Sequence, residues 1–333
     1  MKNIIRIMLL VGIVLFLQNC SNDYSKAKNF ADSGNYKEFY SEISQDVKNG
    51  DKKAKNLLIN YFFKAIQDSD LKQVQYFMQQ QPQLINIIDD EGNRAIDVTL
   101  VDNSIRLEVL KFLLKYKPDL NYVIELYQDE ITPLQLLTVK KESFKSIEAI
   151  KLLIDAGANV NFYTETGTAS ISPLLFSYLN DNIKVFNLLL KYGAELKNII
   201  PVDKKNKNDI LSYIAGSYAL ELTNNNINLQ NFYEKPLDKN EKIAITSQSY
   251  AIINKRNIEY LNLMNKYKKL NNAGRYGMEK LAQFYAATNE VNGLKLLVSG
   301  GLCSNKSICQ KLRTIALKNN YRAILYILNK EGK

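Results

Sequence analysis

The chain contains no histidine and no tryptophan in 333 residues, and only three cysteines and six prolines. Without histidine, neither a Ser-His-Asp nor a Cys-His nucleophile system can be assembled. Histidine-ligated zinc is excluded with it, and three cysteines fall short of a four-thiolate site. No G-x-G-x-x-G or Walker-type loop is present to cradle a phosphate. The longest uninterrupted apolar run, residues 7–17, has 11 residues, whereas a membrane-spanning helix needs about 20. Paired carboxylates such as Asp89-Asp90-Glu91 leave glycoside hydrolysis as the simplest remaining chemistry, since it needs two acids across one sugar bond. They fall in a stretch that reads as a loop, where solvated charge is ordinary. No enzyme activity, cofactor or metal is expected.

What is present is length, lysine and tyrosine. A single hydrophobic core becomes awkward beyond roughly 250–300 residues, and a solenoid escapes that limit because each repeat packs only on its neighbours. The formal net charge is +10, but the lysines are interleaved with acids, as in Asp51-Lys52-Lys53 and Lys140-Lys141-Glu142. The densest basic cluster, at 203–209, is bounded by Asp203 and Asp209 and reads as a solvated loop. A nucleic-acid partner is therefore not expected.

Residues 131–161 carry the organising unit. Thr132-Pro133-Leu134 opens it: Thr132 can cap a helix, and Pro133 occupies the first helical position, where no backbone N–H is needed. An apolar stripe of Leu134, Leu136 and Leu137 follows, then a second with Ile147, Ile150, Leu153 and Ile154 at helical spacing. Gly157 can end the second helix in the left-handed conformation. The unit recurs at 172–197, with Ser172-Pro173-Leu174 as the opening and Gly193-Ala194 as the close. This pattern resembles the ankyrin repeat family, whose signature is T-P-L-H-x-A on a period of about 33 residues. The signature histidine is replaced by Gln135 and Leu175. The resemblance implies an all-α solenoid of stacked helix pairs, with degenerate repeats, that binds a protein through its concave face and inter-repeat loops.

Other copies are diverged. Residues 53–80 read as a helix pair with Asp70 capping the second helix. Residues 89–121 place Arg94-Ala95-Ile96-Asp97 where T-P-L-H would stand, and Lys117-Pro118 where Gly-Ala would end the unit. Helical pairs are expected again after 210, interrupted by an Asn-rich stretch at 223–240 that is either a disordered insertion or a partner-binding loop.

The N-terminus has the layout of an export signal, with Lys2 and Arg6 ahead of the apolar run. Leu17-Gln18-Asn19-Cys20 then resembles a bacterial lipoprotein signal, which implies lipidation of Cys20. The expected organisation is a signal at 1–19, a lipid tether and helical cap at 20–52, with 21–29 as the polar tether, and the repeat solenoid at 53–333. In an oxidising compartment Cys303 and Cys309 pair as a disulfide or remain free thiols. The functional expectation is a membrane-tethered interaction scaffold of the cell envelope, touching the membrane through its lipid anchor only. An inhibitor or immunity protein against an envelope enzyme or toxin is the alternative, and an envelope glycan hydrolase a more distant one. The expected binding positions are the tips before the first helices: Asp90, Glu91 and Asn93; Gln128, Asp129 and Glu130; and Glu165, Thr166 and Thr168. Those groups either meet a basic partner or only keep exposed loops soluble.

Overall fold

The computed structural model describes residues 24–101, 104–126, 129–140, 143–166, 169–196, 210–227 and 236–330. The chain divides into two compact units, Met1–Pro118 and Asp119–Lys333. Both are built from helix pairs. The strands among the described residues form two short hairpins and lie in the second unit.

The first unit begins with α1 (Ser25–Asp32) and α2 (Tyr36–Asn49). Helix α1 starts inside the stretch expected to be a polar tether, because Ala27 and Ala31 give it a small apolar face that is buried. The pair α3 (Lys52–Gln67) and α4 (Leu71–Gln80) follows, capped by Asp51 and by the expected Asp70. Phe62, Phe77 and Met78 are buried in that pair, and Phe39 of α2 packs on Phe77 with ring centroids 5.9 Å apart. The diverged copy folds as α5 (Ala95–Leu100) and α6 (Leu107–Leu113). Arg94 has no acceptor side chain for a cap, and the helix start keeps the reciprocal bond of a capping box, with Asp97 accepting from the Arg94 backbone N–H at 2.8 Å. Lys117 takes the left-handed conformation (φ 52°) that glycine takes in the regular copies, a strain of about 1–2 kcal/mol for a side-chain-bearing residue.

In the second unit the hairpin β1 (Ile124–Leu126) and β2 (Asp129–Ile131) leads into α7 (Pro133–Val139) and α8 (Phe144–Asp155). Hairpin β3 (Thr164–Thr166) and β4 (Ala169–Ile171) leads into α9 (Pro173–Leu179) and α10 (Ile183–Lys191). The caps act as the sequence implies: Thr132 accepts from Gln135 N–H, and Ser172 accepts from Leu175 N–H, both at 3.2 Å. Gly157 and Gly193 close their repeats at φ 108° and 95°. Asparagine side chains then tie one repeat to the next. Asn121 accepts the Asn159 N–H and donates to the Gly157 carbonyl, and Asn161 accepts the Glu195 N–H.

Three taller pairs complete this unit: α11 (Ile210–Asn224) with α13 (Gln248–Lys266), α14 (Arg275–Thr288) with α15 (Val291–Ser299), and α16 (Lys306–Lys318) with α17 (Arg322–Lys330). First helices stack on first helices (α7 on α9, α11 on α14, α14 on α16), and second on second (α10 on α13, α13 on α15, α15 on α17). The Asn-rich stretch is an insertion between the two helices of one repeat. Helix α11 runs to Asn224, and a short helix α12 (Lys239–Ile245) begins at its other end. Ile227 and Leu237 are buried, and the Leu237 N–H donates to Asn319 Oδ1 at 3.1 Å. Residues 228–235 lie outside the described residues.

A tyrosine-rich core fills the taller pairs. Tyr218 stacks on Phe284 with centroids 4.5 Å apart, and Tyr285 crosses it edge-on. Gly293 is required opposite Tyr285, because a Cβ there would stand 2.5 Å from the ring. Cys303 and Cys309 are joined as a disulfide, with Cα atoms 5.5 Å apart, across the link between α15 and α16.

Candidate interaction surface

The hairpins are held from below. Gln135, fully buried at the position of the signature histidine, accepts the Thr132 N–H through Oε1 at 2.7 Å. Its Nε2 donates forward to Thr164 Oγ1 at 3.0 Å and to the Ile171 carbonyl at 2.6 Å. One side chain therefore locks the start of α7 to the base of the next hairpin. The two hairpins also touch, β2 against β3.

This arrangement brings some of the expected site residues together. Asp129 and Glu130 lie on β2, next to the strand that carries Glu165 and Thr166. Gln128 and Thr168 fall outside the described residues, as does Cys20. In the first unit Asp90 and Glu91 are exposed, but Asn93 is half-buried and builds the turn. Its N–H donates to Asp89 Oδ1 at 2.8 Å, as does that of Glu91 at 2.9 Å.

One acidic position was missed in the sequence reading. Glu125 is the register partner of Glu130 across the β1–β2 hairpin. The register therefore adds a third acidic position to the hairpin, beside Asp129 and Glu130. The signal was legible: Ile124 and Leu126 alternate with Glu125, the period of a strand.

At the other end of the first helices the sequence reading missed a groove of about 370 Å³, lined by Leu179, Tyr213, Gly216, Leu220 and Arg256 among others. It arises because α9 stops at Leu179 while α11 continues to Asn224. Below it, Tyr178 donates to Asn257 Oδ1 at 3.0 Å, and Asn257 Nδ2 donates to Ser217 at 3.0 Å. Burial holds the Tyr178 phenol above its ordinary range, so it stays a neutral donor. The Arg256 guanidinium covers the Tyr178 ring at 4.7 Å and donates to Asp181 at 2.7 Å. Among the described residues there is no group of acids and cysteines placed to hold a metal ion.

Helix pairs stacked first on first and second on second, with paired hairpins leading into α7 and α9, define a helical repeat protein with the architecture of an interaction module. No protein-family model matches the chain. An ankyrin repeat protein of Acanthamoeba polyphaga mimivirus is 32% identical over 142 residues, covering 42% of this chain and 78% of that relative. The chain belongs to the ankyrin repeat family, and in the general sense of that family it is a protein–protein interaction scaffold.

Proposed function

We propose that the protein is a lipid-tethered scaffold of the bacterial cell envelope, anchored through Cys20, that captures a basic protein partner on its hairpin edge. The observation that carries the binding mode is the register of Glu125 opposite Glu130, with the Glu165 strand beside it. Acidic positions gathered on adjoining strands favour a partner that offers Lys or Arg. The lipoprotein-like Leu17-Gln18-Asn19-Cys20 supports the anchor, and none of this requires the chemistry the chain lacks.

The test is capture of partners from envelope extracts on the solubilised full-length chain, before and after Asp129→Lys with Glu130→Lys. Loss of a stoichiometric partner at unchanged thermal stability supports the edge. Undiminished capture refutes it. The anchor is read separately: Cys20→Ala should abolish incorporation of labelled palmitate and release the chain from the membrane fraction. Unchanged labelling means the signal has been misread.

A further inference from the structure

The helices of the Asp119–Lys333 unit end differently at their two ends. One end carries the hairpins; the other carries the turns from first to second helix. Exposed large apolar side chains collect at the turns. Val139 and Phe144 flank the first turn, and Phe144 is 81% exposed. Leu179 marks the second. Leu220, Ile243 and Ile252 surround the insertion, and Leu317 stands at the last turn, each of the four more than half exposed. Only Val123, Tyr276 and Tyr326 are comparably exposed elsewhere among the described residues of this unit.

The turns form one continuous edge. Asn182 Nδ2 donates to the Lys140 carbonyl at 3.4 Å, joining the first turn to the second. Arg256 reaches Asp181, joining the second to α13, and Ser249 of α13 donates to Glu221 of α11. The Leu237–Asn319 bond joins the insertion to the last turn. Charge on this edge is one-sided. Lys145, Lys239, Lys242 and Lys255 are exposed, whereas the neighbouring acids are engaged. Asp181 holds Arg256 and Asp238 caps α12, both while exposed; Glu221 accepts from Asn225 and Ser249, Glu241 is buried in the same cap, and Glu290 accepts from Asn254.

Apolar side chains set among exposed lysines, with those acids engaged by protein groups, match the interface of an anionic lipid bilayer: apolar groups enter the acyl boundary and cations remain at the headgroups. We infer that the turn edge docks directly on an anionic membrane surface, leaving the acidic hairpin edge facing away from it. This contact is additional to any lipid anchor and does not rest on one.

The test uses the full-length chain with Cys20→Ser and a single new cysteine, Ile243→Cys, carrying an environment-sensitive fluorophore; Leu317→Cys is a second site on a different helix. Tyr276→Cys, at the start of α14 and therefore at the opposite end, is the control. Vesicles are phosphatidylcholine alone, or phosphatidylcholine with phosphatidylglycerol. The expected result is a blue shift and quenching by brominated acyl chains at positions 243 and 317, with phosphatidylglycerol present and not at position 276. Each cation near such a surface contributes roughly fivefold in partition, so Lys242→Gln with Lys255→Gln should weaken the response by roughly 25-fold. No shift at either position, or an equal shift at 276, overturns the inference. A shift driven by a captured protein without vesicles overturns it too, and makes the edge a protein interface.

Discussion

Replacing Gln135 with leucine tests whether one side chain holds the hairpin edge in place. The substitution keeps a side chain of similar volume and removes all three of its hydrogen bonds, leaving the Thr132 N–H, the Ile171 carbonyl and the Thr164 hydroxyl without that partner. Thr132 and Thr164 are each 2% exposed, so water does not replace the loss freely. An unsatisfied buried group costs about 1–3 kcal/mol; because the hydroxyl can rotate toward another acceptor, the total expected is about 2–5 kcal/mol. For a unit of this size 1 kcal/mol moves Tm by about 2–4 °C, so the melt should fall by roughly 4–20 °C. Amide exchange should rise first in β3 and β4. Gln135→His separates the mechanism from simple packing. A neutral imidazole offers one acceptor and one donor, enough to keep the Thr132 bond and one forward bond. Because its neutral form is the one that accepts, the folded pKa would lie below the unfolded value of about 6.5. Stability of that variant should be fully present above pH ~6.5 and decline as pH falls through the folded pKa. The measurements are urea and thermal unfolding with residue-resolved exchange. A Gln135→Leu protein within about 0.5 kcal/mol of the parent, the usual effect of a neutral surface change, would refute the reasoning.

Gly293→Ala should destabilise despite alanine's better helix propensity: its Cβ would stand 2.5–2.8 Å from Tyr285 ring atoms, and an overpacking cost of about 1–3 kcal/mol exceeds a gain of at most ~1. Urea midpoints decide it. Burial raises the phenols of Tyr218, Tyr250, Tyr260 and Tyr285 above the ordinary value of 10. The unfolded chain therefore releases protons first, and stability present below pH 10 should be lost as pH climbs beyond it. Tyrosinate absorbance and helical circular dichroism should then change together; tyrosinate forming in an intact fold would contradict it. Replacing both Cys303 and Cys309 by serine frees a short loop, which should cost about 2 kcal/mol and loosen α16 and α17 in hydrogen exchange while leaving α7–α10 unchanged.

Where a turn or cap is made by one residue acting locally, the sequence was readable: Thr132, Ser172, Asp70, Gly157 and Gly193 each act within a few residues of their own position. The diverged copy was readable in outline only, because its repairs are substitutions of role. Lys117 adopts a glycine conformation, and Asp97 bonds the backbone N–H of an arginine standing at the cap position. The insertion was harder. Periodicity marked helix on both sides of 223–240, but not that α11 pairs with α13 across α12, a matter of contacts between residues some 30–40 apart. The long bonds that define that pairing, Tyr218 to Asn254 and Asn257 to Ser217, join ordinary-looking residues in a chain rich in tyrosine and asparagine. The acidic tips were visible as composition, whereas their meaning depended on register. Shifting β1 by one residue would place Ile124 or Leu126 opposite Glu130 instead of Glu125. The observed register makes Glu125 and Glu130 partner positions. On the function proposed above, acidic residues at those positions and on the neighbouring β3 strand suit a cationic partner, while Gln135 ties the start of α7 to the second hairpin from below.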